Sequence, residues 1–222
     1  MSGVFFLAAP AIGMAWLASI TSVIDQAPKK YLALGDSYTI GESVSENERW
    51  PVQLARAWSK NGNAVADPTI IATTGWRTDN LKDAIEKASL KNEYDLVSLL
   101  IGVNNQYQGK PAEQYATEFE DLLSIAIRLA KGKKENVFVV SIPDYGYTPY
   151  GKPKQVEITK ALDHFNEINK RITEKVGVAY VNITDISRHG LDQPDLVAGD
   201  GLHPSGKMYS LWVERILKSL GR

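Results

Sequence analysis

"YLALGDSYTIGES", residues 31–43, runs apolar through Leu34 and then stops at a glycine, a carboxylate and a hydroxyl in succession. A short aliphatic run bounded by turn formers is the pattern of a strand covered on both faces. Two readings of Gly35, Asp36 and Ser37 follow. Either they turn the chain and cap the next helix, as their residue types favour, or Ser37 is a reactive group displayed at the strand's carboxyl end. The second reading needs partners elsewhere in the chain.

Outward from this stretch the same alternation repeats. Runs rich in Val, Ile and Leu at 31–34, 69–72, 95–101, 136–142 and 178–182 predict strands, and amphipathic stretches at 50–59, 79–88, 112–131, 155–176 and 205–220 predict helices. In the third of these, Tyr115, Phe119, Leu122, Leu123 and Ile127 recur at helical spacing and mark a face turned to the core. Strands alternating with helices through right-handed crossovers give an α/β fold, a three-layer α/β/α sandwich with a parallel sheet of about five strands. Sites in such sheets form at the carboxyl ends of the strands. The segments expected there are GDSYTIGES, TTGWRT, GVNNQYQG, PDYGYTPYG and, before the last helix, GDGLHPSG.

Composition narrows the function. The 25 Lys and Arg against 26 Asp and Glu leave a net charge of −1, no electrostatic footprint for nucleic acid. The absence of cysteine excludes disulfides, thiolate zinc sites and thiol nucleophiles. No P-loop or cluster of metal-ligating residues is present in the sequence, so no cofactor and no metal is expected. Residues 4–24 carry no charge, long enough as a helix to match a bilayer core, so residues 1–27 are expected to be a signal or anchor segment and 28–222 the folded domain. Export to the periplasm or medium, or membrane association through 4–24, is the corresponding expectation. Lys29 and Lys30, following the segment, run against the positive-inside pattern for export.

A serine nucleophile needs a base. Of the three histidines, His164 reads as a surface residue on a helix and His189 as a loop residue, whereas His203 stands three residues after Asp200. That spacing lets a carboxylate hold Nδ1–H and leave Nε2 outward. Acyl transfer also needs donors for the developing oxyanion. Gly75 offers a backbone N–H unobstructed by a side chain, Asn104 offers an amide, and Ser37 offers its own N–H.

In order along the chain, GDSY, the glycine of TTGW, GVNN and DGLH resemble the four blocks of the SGNH or GDSL serine hydrolases over about residues 30–221. The resemblance implies a flavodoxin-like fold and ester hydrolysis through an acyl-enzyme. It implies Ser37 as nucleophile, His203 as base, Asp200 as its orienting carboxylate, and Ser37, Gly75 and Asn104 as the oxyanion hole. Tyr38 replaces the usual leucine, and Asn105 replaces the usual aspartate, which questions the support behind Asn104. Tyr38, Trp76, Tyr107, Tyr145 and Tyr147, with Tyr150, are expected to ring the pocket. The substrate is then a small-molecule, lipid or carbohydrate ester, with the lipase and esterase branch favoured. A carbohydrate O-acetylesterase, or a non-catalytic glycan- or lipid-binding module on the same fold, is the alternative.

Overall fold

All five residues of β1 (Tyr31–Gly35) are buried, as are all five of β3 (Leu96–Leu100) and all four of β4 (Val137–Val140). These are the central strands, and their unbroken apolarity is what a sheet covered on both faces demands. The two edges, β2 (Thr69–Ala72) and β5 (Ala179–Val181), begin on exposed residues. The computed structural model describes residues 1, 3, 27–60 and 64–221. The uncharged segment 4–24 lies outside them, and among the described residues no helix is long and apolar enough to cross a membrane.

The sheet is parallel throughout, in the order β2-β1-β3-β4-β5. This is the doubly wound order whose strands turn outward in both directions from β1 and β3. Leu34 of β1 stands level with Ile71 on one side and Leu99 on the other, so three strands end together. The helices are α1 (Ser37–Ile40), α2 (Trp50–Lys60), α3 (Thr78–Lys87), α4 (Val103–Tyr107), α5 (Ala112–Leu129), α6 (Gln155–Val176), α7 (Thr184–Ser187) and α8 (Gly206–Ser219). α2 packs against α8 on one face, and α3, α5 and α6 form a row on the other.

Each long helix turns an apolar stripe to the sheet. α6 buries Ile158, Leu162, Phe165, Ile168 and Ile172, and α8 buries Met208, Trp212, Val213 and Ile216. Trp50, Trp212 and Phe138 are enclosed entirely. At about 1.5–3 kcal/mol for each large apolar side chain, this burial fixes the strand ends as a rigid platform. The loops above it carry the polar residues.

Candidate active site

The Gly-Asp-Ser triplet turns the chain and caps the next helix, and in doing so sets Ser37 at the carboxyl end of β1. A Cβ on Gly35 would stand 2.6 Å from the Leu100 carbonyl oxygen and collide with Thr39, so only glycine lets α1 fold back over the end of the sheet. Asp36 caps α1, accepting the Tyr38 N–H at 3.0 Å. It is wholly buried; burial pushes its carboxyl up to about 7, against the pull of the backbone N–H groups it accepts. Ser37 is the first residue of α1, a position whose N–H has no partner within a helix.

The glycine after β2 has a different reason. Gly75 adopts φ +84°, while no protein atom lies within 4 Å of where a Cβ would stand. Backbone conformation, not space, calls for glycine there. The loop after β3 coils at once into α4. Asn104 donates from Nδ2 to the Trp76 carbonyl at 2.9 Å, tying this loop to the Gly75 loop. The neighbouring Asn105 is buried and grips Thr78 twice: its Oδ1 accepts the Thr78 N–H at 3.1 Å, and its Nδ2 donates to Thr78 Oγ1 at 2.6 Å. These bonds tie α4 to the first residue of α3, whereas the Asn104 side chain is held by the Trp76 carbonyl.

Asp200 and His203 lie in a tight turn pinned at its base by an antiparallel bridge between Val197 and Pro204 and by the Ala198 N–H on the His203 carbonyl. Asp200 Oδ2 stands 2.6 Å from His203 Nδ1 and receives the Ser43 hydroxyl at 2.6 Å, while its Oδ1 accepts the N–H groups of Leu202 and His203. Partial burial opposes ionisation, but these hydrogen bonds prevail and hold the carboxyl well below the ordinary range. A carboxylate fixed on Nδ1 keeps the imidazole proton there and leaves Nε2 to accept. The Tyr38 ring meets the His203 ring edge-on at 5.8 Å between centroids.

A cavity of about 220 Å³ joins these parts: Ser37, Tyr38, Gly75, Asn104 and His203 all line it, with Tyr107, Tyr145 and Tyr150 as aromatic walls. Thr74, Val103 and Leu202 complete it. Each of these three is a chain neighbour of a residue singled out in the sequence, and none carries a signal of its own. Trp76 and Tyr147, expected around the pocket, do not line it. Trp76 packs against the core beneath its loop and offers its carbonyl to Asn104, and Tyr147 lies beneath the Arg188 guanidinium, 5.9 Å from its ring centre. His164 and His189 are exposed, and neither lines the cavity.

Residues 33–211 match the model of the GDSL-like lipase/acylhydrolase family. An arylesterase of Vibrio mimicus is 26% identical over 188 residues, which span 82% of this chain and 84% of that protein. Among solved structures, TesA superposes with a TM-score of 0.68 at 14% identity, covering 86% of this chain and 98% of its own. Axe2, an acetylxylan esterase from Geobacillus stearothermophilus, superposes with a TM-score of 0.67 at 19% identity, covering 87% and 94%. At such identities the likeness of structures is one of fold.

Proposed function

The chain belongs to the GDSL-like lipase/acylhydrolase family and is an ester hydrolase, and from that premise we propose that Ser37 is its nucleophile, with His203 as base and Asp200 as orienting carboxylate. The observation that carries the reading is the convergence of Ser37, Gly75, Asn104 and His203 on one cavity, with an anionic Asp200 on the far nitrogen of the imidazole. Ser37 Oγ attacks the ester carbonyl while His203 Nε2 takes its proton. The oxyanion is received by the N–H groups of Ser37 and Gly75 and by the Asn104 amide, whose second hydrogen is not needed for the Trp76 carbonyl. His203 then protonates the leaving alkoxide, and water repeats the sequence on the acyl-enzyme.

Size and lining narrow the substrate. A dry cavity of about 150 Å³ in another protein admits benzene, so about 220 Å³ walled by tyrosines suits a short acyl or aryl group. A sugar acetate is the second reading. Its acetyl group needs no more room, and Tyr107 and Tyr150, 57% and 52% exposed, offer ring faces at the mouth.

Aryl esters from acetate to decanoate, assayed beside acetylated xylo-oligosaccharides, decide between them. Ser37→Ala is expected to abolish turnover with the fold retained; turnover surviving it would overturn the nucleophile assignment. The same reading assigns 28–222 to the hydrolase and 1–27 to export or anchoring. Sequencing the N-terminus of the mature protein tests that division: an intact Met1 on protein recovered free of membrane would overturn it.

A further inference from the structure

Beside the cavity at Ser37 lies a second groove of about 430 Å³, and the two share three lining residues: Tyr107, Tyr145 and Tyr150. Tyr107 and Tyr150 meet across the boundary, hydroxyl to hydroxyl, at 2.7 Å. Tyr145 is the fixed base of this wall. It is 6% exposed, donates from its hydroxyl to Gln106 Oε1 at 3.1 Å, and takes the edge of the Tyr107 ring at 6.2 Å. The other two rings are more than half exposed. Their backbones are nonetheless held, Tyr107 within α4 and Tyr150 by its N–H on the Gly201 carbonyl at 3.0 Å.

We propose that the Tyr107–Tyr150 pair is a partition that limits acyl-chain length, and that the groove behind it is the subsite a longer apolar acyl chain enters when the pair parts. The inference rests on the ester-hydrolase reading of the Ser37 site. Direction out of the cavity assigns the groove to the acyl side. The leaving oxygen must face His203, which protonates it, whereas the groove is lined by Gln106, Tyr107 and Gly109 just beyond Asn104 and by no residue of the 197–204 turn. Tyr145, Pro153 and the buried Ile158 give it an apolar wall, with Lys154 and Glu157 among its polar residues. The pair is joined by one exposed hydrogen bond on two anchored backbones, so rotation of exposed side chains suffices to open it, a motion that needs no loop rearrangement.

The test compares kcat/KM for p-nitrophenyl octanoate and acetate, as a ratio, in the full chain and in Tyr107→Ala, Tyr150→Ala and Tyr107→Phe/Tyr150→Phe. Removing either ring is expected to raise the octanoate-to-acetate ratio at least about ten-fold, within the range a few methylenes command in an apolar site. The double Phe variant keeps both rings and loses only their bond, so its ratio should rise less than in either Ala variant. Both tyrosines are exposed, so truncation does not open the core. A ratio unmoved in both Ala variants, in an enzyme that Ser37→Ala silences, overturns the partition alone. Turnover surviving Ser37→Ala overturns the site and the partition together. A gain confined to acetates of bulkier alcohols would give the groove to the leaving group and likewise overturn the proposal.

Discussion

Asp200 accepts four hydrogen bonds, from Ser43 Oγ, His203 Nδ1 and the backbone N–H groups of Leu202 and His203. Held anionic well below the usual carboxylate range, it does not titrate where activity is measured. On the proposed assignment activity should fall on the acid side, because an imidazolium cannot take the serine proton, and Asp36, pushed up to about 7 beside Ser37, is a second group that titrates in this range. A profile flat from about pH 5 to about pH 9 would contradict the base assignment. Ser43 offers a finer test. Its hydroxyl competes with the imidazole for Oδ2, and it sits at φ +65°, in the left-handed region that favours glycine. Ser43→Gly should cost about 1–2 kcal/mol in urea unfolding at neutral pH, the scale of a lost hydrogen bond to a charged group less the strain that glycine relieves at this φ. It should also let the Asp200 carboxyl rise toward its ordinary range, because the Ser43 hydroxyl is first among the hydrogen bonds that hold it down, so the stability Asp200 lends above pH 3.8 should shrink. A variant as stable as the parent at neutral pH would contradict this account. The Asp200 and His203 spacing was readable because both partners lie within one turn. Ser43 reaches Asp200 across 157 positions, and no local pattern announces such a contact.

Helical periodicity found α2, α3, α5, α6 and α8 to within two residues at each end, and α6 at both its bounds. It did not find α1, α4 or α7, which are too short to show a period. The runs at 95–101 and 136–142 extend beyond β3 and β4 because Ile101 and Ile142 are buried past the end of the ladder. An apolar run reports burial, not hydrogen-bonded pairing. α4 also accounts for the departure from the family's aspartate. Thr78 directs its hydroxyl proton to Glu118, so the Thr78 oxygen needs a donor, which Asn105 supplies and an aspartate lacks. Asn105→Asp should cost about 1–3 kcal/mol in urea unfolding, the scale of a buried polar atom left without its partner. Glu118→Gln in the same chain should recover much of that loss, since the new amide can donate where the threonine proton has been withdrawn. An Asn105→Asp chain as stable as the parent would sink this account.

Stability of the whole molecule carries the mark of Asp36. Its Oδ2 has no hydrogen-bond partner among the described residues, and burial lifts the carboxyl from 3.8 to about 7. Between those values the folded chain retains a proton that the unfolded chain releases, so this group makes stability fall as pH rises from about 4 to about 7 and level off above. The difference is worth on the order of 4 kcal/mol. Asp200 acts in the opposite sense, stabilising above 3.8 and losing that contribution as pH falls toward its depressed value. Asp36→Asn should therefore remove a downward slope between about pH 4 and about pH 7 that the parent shows in urea midpoints; parallel curves for the two proteins would refute the assignment.

The order in which the chain is made gives the turn at 197–204 a further meaning. Ser37, Gly75 and Asn104 are all present once synthesis has passed β3 and α4, yet Asp200 and His203 arrive only with about the last tenth of the 222 residues. Until then a nascent chain carries a serine and a cradle for the oxyanion with nothing to take the proton. On the proposed assignment the base is therefore the last catalytic part to be made, and it arrives immediately ahead of α8, the helix that packs on α2.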